Sequence, residues 1–217
     1  MFVTFEGLDL SGKSTQAERL VARLRRMHRA GHGPPGSVVY LREPGGTALS
    51  ERLRSLLLER SRLAIDDRAE LMLFSASRAQ LVVEVIRPAL GAGAIVVCDR
   101  FVDSTTAYQG YGRGLDLEEV DRVNAVATGG LSPGCTILVD ITVEEMSLRA
   151  AATGLPADRM EASGIAFYER VRRGYHALAA SHRERFIVID GMRAVETVEE
   201  DIWRALARRL PVSEALT

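Results

Sequence analysis

Short apolar runs alternate along the chain with longer stretches of helical periodicity. Five mostly apolar, often β-branched runs have the length of buried strands, namely Phe2–Phe5, Val38–Leu41, Ala94–Cys98, Thr136–Val139 and Phe186–Ile189. Seven stretches repeat apolar residues every three to four positions, as amphipathic helices do, namely Lys13 to about Ala30, Leu49–Glu59, Arg68–Leu90, Leu117–Ala127, Glu144–Ala151, Ala166–His182 and Val198–Leu210. This alternation predicts an α/β fold with a parallel sheet covered on both faces.

Composition narrows the class of protein. The 217 residues are 47% hydrophobic with a net charge of −1, which indicates one globular domain over residues 1–217 and gives no reason to expect a nucleic-acid polymer or a membrane as partner. No apolar run approaches the roughly 20 residues that span a bilayer, and the start MFVTFEG lacks the features of a signal peptide. Cys98 and Cys135 have no metal-ligand spacing, so we expect buried, unpaired thiols in a cytoplasmic protein.

A candidate phosphate-binding loop follows the first predicted strand. The stretch GLDLSGKS fits the pattern Gly-x4-Gly-Lys-Ser and consists of Gly7, Leu8, Asp9, Leu10, Ser11, Gly12, Lys13 and Ser14. Glycines allow positive φ angles, and successive N–H groups at a helix N-terminus hold anions. Lys13 is placed to reach the β- and γ-phosphates of a nucleotide, and Ser14 to offer its hydroxyl to Mg²⁺. The pattern therefore predicts a nucleotide site, and the alternative is a glycine-rich turn without a ligand.

The use of lysine and asparagine separates the classes of P-loop protein. Lys13 is the single lysine among 28 Lys and Arg residues, and Asn124, followed by Ala, is the single asparagine. A GTPase normally reads guanine with Asn-Lys-x-Asp, which this chain lacks, and the transporter signature LSGGQ is also absent. A small-molecule kinase remains.

Polar clusters follow or flank the predicted strands, where ligands of parallel sheets bind. Arg42 opens REPGGT after the second strand, and Asp99-Arg100 follows the third. Phe74 and Arg78 are four residues apart and share a helix face. Tyr108–Gly114 (YQGYGRG) adds aromatic rings, an amide and a glycine-rich stretch that we expect to be mobile. Guanidinium groups suit a phosphate and rings suit a base, so these clusters predict a second, phosphorylated aromatic substrate.

Taken together, the motifs resemble thymidylate kinase of the bacterial kind. The matching stretches are FEGLDLSGKSTQ, REPGGT, LFSASRAQ, DRF-x-DS-x-x-AYQGYGRG and DRME, in order from Phe5 to about Glu161, with weaker similarity through Phe167–Tyr175 and Asp190–Asp201. The resemblance implies a three-layer P-loop kinase fold with a five-stranded parallel sheet, a small lid at about residues 148–160 and a homodimer. It also implies transfer of the γ-phosphoryl group of MgATP to dTMP, with Mg²⁺ as the metal.

The resemblance also assigns roles by position. On the donor side, the P-loop with Thr15 holds the phosphates of ATP, and Arg149 packs against adenine. Asp9 lies near the acceptor and Mg²⁺, and Asp99 acts on the metal through water. On the acceptor side, it implies that Arg42 and Arg100 bind the phosphate of dTMP. Phe74 stacks on thymine, and Arg78 donates to the edge of the base. The pocket for the deoxyribose and base is lined by Ser104, Thr105, Tyr108 and Gln109.

The chain departs from the family pattern in the arginine that stabilises the transferring phosphoryl group. In GTPases such an arginine can raise the rate by about 10³–10⁵. Some members of the family place it in the P-loop, at the position of Leu10, and others place arginines in the lid. In this chain the lid segment LRAAATGLPADR retains only Arg149 and Arg159. We expect Arg159 to be the catalytic lid arginine.

Several interpretations remain open from the sequence alone. The chain could phosphorylate another pyrimidine nucleoside monophosphate, or it could be a nucleotide-binding paralogue with impaired turnover. Phe74 could be a core residue, Arg78 a solvated surface charge, and Asp99 with Arg100 a structural ion pair. The Tyr108–Gly114 stretch could be only a connecting loop, and Arg149 one more helical surface arginine.

Overall fold

Five parallel strands form one central sheet in the computed structural model, which describes residues 1–30, 36–58, 64–154 and 163–209. The strands are β1 Phe2–Glu6, β2 Val38–Arg42, β3 Ile95–Asp99, β4 Cys135–Asp140 and β5 Phe186–Asp190. Their order across the sheet is β2-β3-β1-β4-β5. The predicted five-stranded parallel sheet is confirmed, and each strand begins within one residue of its expected start.

Helices connect the strands and cover both faces of the sheet. The α-helices are α1 Lys13–Arg29, α2 Ala48–Leu58, α3 Asp67–Leu81, α4 Arg87–Gly91, α5 Val102–Thr105, α6 Leu117–Thr128, α7 Val143–Thr153, α8 Ile165–Ser181 and α9 Val195–Ala207. Two π-helical segments, Val82–Ile86 and Thr106–Gly112, continue α3 and α5. In the described ranges, no helix is long and apolar enough to cross a membrane.

Local sequence explains where several helices begin. Asp66 accepts a hydrogen bond from the backbone N–H of Arg68 at the start of α3, and Asp116 and Thr142 make equivalent bonds at the starts of α6 and α7. Such side chains satisfy backbone donors that a helix leaves open in its first turn. Gly129 ends α6 in a left-handed conformation.

The alternation of side chains along β1 divides the core between the two faces of the sheet. Val3 and Phe5 pack with α1 and α9 in one buried cluster. Phe2 points the other way, into a cluster that contains Phe101 and side chains from α3 and the π-helical turn after it. Parallel strands that are covered on both faces read as continuous apolar runs, as these do. Cys98 and Cys135 are free, buried thiols within this core, as expected.

The stretch around Tyr108 differs from the sequence expectation. It was expected to be a mobile glycine-rich segment or a connecting loop, but Thr106–Gly112 is π-helical and almost fully buried against α8. A Cβ atom on Gly112 would lie 2.6 Å from the ring of Phe167, and one on Gly174 would lie 2.7 Å from the ring of Tyr111. The glycines therefore permit close packing of two helical segments, and the prediction of mobility is wrong.

The carboxyl ends of β1, β2 and β3 place the motifs side by side. Arg42 pairs in register with Asp99, and Phe5 pairs with Asp99 from the other side. The connection after β1 leads to β2 at one edge of the sheet, whereas the connection after β3 leads to β4, which lies on the opposite side of β1 within the sheet. Crevices form at such points, because the connections on the two sides diverge.

Candidate active site

The P-loop runs from Gly7 into α1 and bends through three left-handed positions. Gly7, Leu10 and Gly12 have φ angles of 143°, 60° and 89°. A Cβ atom at Gly7 would lie 2.4 Å from the backbone oxygen of Val139, so only glycine fits there. Leu10 is a branched residue in a conformation that costs about 1–2 kcal/mol for L-residues. The loop therefore adopts a left-handed backbone conformation at position 10 although the residue there is leucine and not glycine.

Lys13 extends back along the loop at the start of α1. Its Nζ donates a hydrogen bond to the backbone oxygen of Leu8 at 3.2 Å. Burial, together with the charge of nearby Arg100, lowers the pKa of Lys13. A buried ammonium group at a helix N-terminus is the arrangement that favours a bound anion.

Ser14 and Asp99 form a pair beside the loop that fits a divalent cation. The Ser14 hydroxyl donates a short hydrogen bond to Oδ2 of Asp99. The other oxygen of Asp99, Oδ1, is buried and has no partner in the described part of the chain. Groups of three or more acidic, His or Cys side chains that could cage a metal do not occur among the described residues. The pair suits Mg²⁺, which usually keeps several waters and takes further ligands from phosphates.

Asp9 and Arg100 form a partly buried ion pair, with 22% and 16% of their side chains exposed. Oδ2 of Asp9 also accepts hydrogen bonds from the hydroxyls of Tyr108, at 3.1 Å, and Tyr168, at 2.9 Å. Burial alone would raise the pKa of Asp9, but the charges of Arg100 and Lys13 and the two tyrosine bonds hold it below its usual range. Asp9 is therefore a fixed anion at neutral pH.

Arg100 is held from several directions. Its Nη1 donates to the backbone oxygen of Gly7 at 3.2 Å, to Oγ of Ser104 at 3.0 Å and to the hydroxyl of Tyr175 at 3.2 Å. Its own backbone adopts a φ of 72°, which is rare for a residue with a side chain. The sequence alternative of an ion pair between Asp99 and Arg100 is not what forms, because Asp99 binds Ser14 and Arg100 binds Asp9.

Glu6 lies beneath Arg100 at the end of β1 and is fully buried. Its Oε1 accepts from the backbone N–H of Phe101 at 2.8 Å, and its Oε2 accepts from the hydroxyls of Ser104 and Tyr175. The two hydroxyls thus connect the guanidinium group of Arg100 to a carboxyl that does not touch it.

The protonation of Glu6 is strongly shifted by its surroundings. Burial and the negative charge of Asp103 raise the pKa of Glu6 to about 8, against the opposing effects of Ser104 and Arg100. Asp103 itself forms a buried ion pair with Arg185 at 2.7 Å. The carboxyl beneath Arg100 therefore binds its proton far more tightly than an exposed glutamate.

A cleft that is open to solvent at its mouth lies next to Arg100 and contains most of the predicted substrate residues. Eight of the nine predicted substrate residues line it, namely Asp9, Phe74, Arg78, Arg100, Ser104, Thr105, Tyr108 and Gln109. The fold therefore brings together side chains that three separate segments of the sequence carry.

Arg78 is buried at one wall of this cleft, with a relative exposure of 2%. Its Nε donates to Oε2 of Glu43 at 2.8 Å, and its Nη atoms donate to Oδ1 of Asn124 at 3.0 Å and to the backbone oxygen of Phe101 at 3.1 Å. Burial raises the pKa of Glu43 to about 7, although Arg78 opposes the shift. Arg78 is thus locked in position, and the alternative of a solvated surface charge is wrong.

Phe74 and Gln109 complete the part of the cleft that is farther from the P-loop. Phe74 is only partly buried and lines the cleft, so it is not an ordinary core residue. Gln109 is buried, and its Nε2 donates to Oε1 of Glu70 at 2.9 Å.

Arg42 is the predicted substrate residue that does not line the cleft in the described structure. It forms an ion pair with Glu51 at 3.1 Å and donates to the backbone oxygen of Pro44. Arg54, which sequence reasoning missed, does line the cleft and also donates to the oxygen of Pro44 at 3.0 Å. Arg42 and Arg54 therefore share an anchor at the REPGGT turn, and one of them faces the cleft.

Arg149 connects three parts of the donor side. It pairs with Glu145 at 2.7 Å, donates to the backbone oxygen of Leu10 at 3.0 Å and donates to the backbone oxygen of Gly191 at 2.9 Å. It is therefore tied to the P-loop and is not merely one more surface arginine. Arg159, predicted as the catalytic lid arginine, lies outside the described residues, as does the part of the lid from residue 155 to residue 160.

Sequence reasoning missed three further residues that hold the site together: Glu6, Tyr168 and Tyr175. A charged residue closing an otherwise apolar strand is an available signal for Glu6. Tyr168 and Tyr175 are seven residues apart, which places both on one face of α8. Their contacts with residues of β1 and the P-loop span 159 and 169 positions of sequence, and no local pattern reveals them.

Comparisons with known proteins agree with this geometry. A protein-family model described as thymidylate kinase matches residues 5–202 of this chain. A thymidylate kinase of Solidesulfovibrio magneticus is 47% identical over 216 residues, covering 97% of this chain and 100% of that protein, and one of Desulfovibrio desulfuricans is 50% identical over 204 residues, covering 91% of each. The crystal structure of thymidylate kinase from Ehrlichia chaffeensis superposes with a TM-score of 0.73 at 35% identity, over 95% of this chain and 98% of that one. The chain belongs to the thymidylate kinase family.

Proposed function

We propose that this chain transfers the γ-phosphoryl group of MgATP to dTMP, giving dTDP and ADP. The observation that carries the proposal is the cleft beside the P-loop, joined to it by the Asp9–Arg100 ion pair. The P-loop and the cleft therefore meet at the guanidinium group of Arg100. The thymidylate kinases compared above are similar over nearly their whole length.

The donor side holds ATP through its triphosphate. The backbone N–H groups between Gly7 and Thr15 and the ammonium group of Lys13 bind the phosphate oxygens. Arg149, fixed between Leu10 and Gly191, borders the region beyond the loop where the adenine would lie.

Ser14 and Asp99 hold Mg²⁺, with the Ser14 hydroxyl as a direct ligand and Asp99 acting through bound water. The unpartnered Oδ1 of Asp99 supports this assignment, because a buried carboxylate oxygen without a partner is costly. When bound, Mg²⁺ neutralises charge on the phosphate oxygens. Asp9, also a candidate for metal binding, has both carboxylate oxygens engaged by Arg100, Tyr108 and Tyr168.

The acceptor side orients dTMP with its phosphate toward the P-loop. Arg100 holds that phosphate, and Arg42 reaches it by leaving its exposed pair with Glu51. Phe74 stacks on thymine, and Arg78 donates to the edge of the base. Polar side chains border the deoxyribose and the rest of the base, and they are Ser104, Thr105, Tyr108 and Gln109.

Positioning and charge neutralisation provide most of the rate in phosphoryl transfer. The buried network around Arg100 holds the acceptor in place with little rearrangement. Arg159 supplies the charge that stabilises the transferring group from a lid at about residues 148–160. Replacing it, Arg159→Ala, should lower kcat far more than it raises the KM for dTMP, and equal activity would contradict this role.

A coupled ADP-release assay over dTMP, dUMP, dCMP, CMP and UMP tests the proposed reaction. We expect dTMP to give the highest kcat/KM. A higher value for another acceptor would contradict the proposal and identify a kinase for that pyrimidine nucleotide. ATP binding without turnover of any acceptor would identify an impaired paralogue.

We also propose that the chain is a single kinase domain that works as a cytoplasmic homodimer. Exposed apolar side chains on α3, the π-helical turn after it and α6 support a partner surface, namely Met72, Val83 and Val126, which are 50%, 68% and 83% exposed. Sedimentation equilibrium should give twice the chain mass, and Val126→Glu should shift it toward the monomer. A monomeric parent protein would contradict the dimer.

A further inference from the structure

A buried carboxylate cluster lies behind the wall of the acceptor cleft and has no role in the proposed reaction so far. Glu70 is fully buried on α3, one turn before Phe74. It accepts from Nε2 of Gln109 at 2.9 Å and from Nε and Nη2 of Arg113, each at 3.2 Å. Arg113 also lies 3.4 Å from Asp67. Buried charges of this kind are kept in folded proteins when paired and hydrogen-bonded.

The carboxylate of Glu70 determines the orientation of the side-chain amide of Gln109. Arg113 donates to both oxygens of Glu70, and a carboxylate paired with a guanidinium group in this way only accepts hydrogen bonds. The NH₂ group of Gln109 must therefore face Glu70, and its carbonyl oxygen occupies the other branch of the amide. Among the described residues, none donates a hydrogen bond to that oxygen. Since Gln109 lines the cleft, its side-chain carbonyl oxygen is available to accept a hydrogen bond from a ligand there.

An acceptor oxygen at this wall distinguishes pyrimidine bases by their edge. Thymine and uracil carry an N3–H donor next to the O4 acceptor, whereas cytosine carries an N3 acceptor next to an amino donor. Arg78, which only donates, suits O4. A carbonyl oxygen from Gln109 suits N3–H and opposes the lone pair of cytosine N3. A site with fixed polar groups rejects a ligand that leaves them unpaired.

We propose that Glu70 is a positioning residue that turns the carbonyl oxygen of Gln109 into the cleft and thereby selects 4-oxo over 4-amino pyrimidines. This inference rests on the proposed function, because it assumes that the base of the acceptor lies in this cleft. Glu70 acts only through Gln109.

The substitution Glu70→Gln tests the role of Glu70. Arg113 would keep the oxygen of the new amide, so the nitrogen of that amide would face Gln109 and favour the reversed orientation of the Gln109 amide. The kcat/KM for dTMP should fall at least about tenfold, while that for dCMP stays constant or rises. The ratio of the two values is the readout, since general damage to the fold would lower both together.

Two further variants serve as controls for Glu70→Gln. Glu84→Gln removes the same charge from an exposed glutamate that accepts from Gln80 at 2.7 Å, and it should leave the ratio unchanged. The paired exchange Glu70→Gln with Gln109→Glu keeps one carboxylate and one amide in the buried cluster. It returns an acceptor oxygen to the cleft, so the ratio should recover to within about threefold of the parent.

Each outcome decides the inference. Equal losses for dTMP and dCMP in Glu70→Gln, at an unchanged melting temperature, would make Glu70 a purely structural residue. If Glu70→Gln does not fold, the paired exchange takes its place, and a folded pair with a collapsed ratio would overturn the inference. A parent protein that does not prefer dTMP over dCMP would instead refute the proposed function, so the two failures are separable.

Discussion

The donor and acceptor sides of the active site are built in different ways. The donor side is largely one continuous loop and the first turn of α1, from Gly7 to Thr15, with Asp99 and Arg149 added from outside. The acceptor side is a network of charges and hydroxyls centred on Arg100, whose hydrogen-bond partners come from the P-loop, α5, the π-helical segment and α8. Glu6 of β1 joins this network through Ser104. Damage to the donor side should thus affect chemistry, and damage to the acceptor side should affect both chemistry and folding.

The largest effect is expected from Arg100→Met. It leaves the partly buried Asp9 without its ion-pair partner, a change that costs up to about 3–5 kcal/mol of unfolding free energy when the remaining charge is buried. Chemical denaturation measures the loss. Arg42→Met is the matched control, because its ion pair with Glu51 is about half exposed and should contribute no more than about 1 kcal/mol. Similar small losses in both variants would remove the energetic contrast between the two sides.

Lys13→Met should separate chemistry from stability. Removal of a charge that is aimed at a transferring phosphate typically lowers kcat by about 10²–10³. The unfolding free energy should change by only about 1 kcal/mol, since the ammonium group is already disfavoured by burial and, within the described part of the chain, donates a single hydrogen bond, to Leu8. Kinetics and denaturation of the same preparation test this. A loss of stability as large as that of Arg100→Met would contradict the distinction.

Glu6→Gln should flatten the dependence of stability on pH. The carboxyl has an ordinary pKa of 4.5 and a folded pKa of about 8, so the folded state keeps a proton that the unfolded chain releases between these values. The associated stability is complete below pH 4.5 and is lost as the pH rises through 8, with a slope of up to about 1.4 kcal/mol per pH unit.

Denaturation midpoints of the parent and of Glu6→Gln, measured from about pH 5 to pH 8, provide the comparison. The parent should lose stability across this range, and the variant should lose less. Glu118→Gln, on the exposed face of α6, serves as a control that keeps the slope of the parent. Parallel curves for parent and Glu6→Gln would show that Glu6 titrates normally.

The smallest effect is expected from Arg149→Ala on the donor side. The change removes hydrogen bonds to the backbone of Leu10 and Gly191, which together are worth about 1 kcal/mol because water replaces part of them. The KM for ATP should rise about fivefold, with kcat and the KM for dTMP nearly unchanged. An equal rise in both KM values would mean that Arg149 supports the whole site and not the donor side alone.

Local patterns were enough to predict the parts of the protein whose physics is local. The strands, the helix that follows the P-loop and the parallel sheet are confirmed, since apolar runs and helical periodicity reflect which face of an element is buried. The glycines of Tyr108–Gly114 were misread for an equally physical reason. A glycine permits either backbone freedom or close approach of another segment, and only the ring of Phe167 at 2.6 Å identifies the second case.

The sequence by itself determined the phosphate-binding loop, the α/β fold and, through its resemblance to a known family, most of the polar residues that line the cleft. Only the tertiary structure decided which of these residues are locked and by what. It pairs Arg100 with Asp9 across 91 positions, places Glu6 beneath it and sets Glu70 behind Gln109. The reason is that a buried charge is stable only with partners around it in space, and partners that lie far apart along the chain leave no periodic or local trace in it.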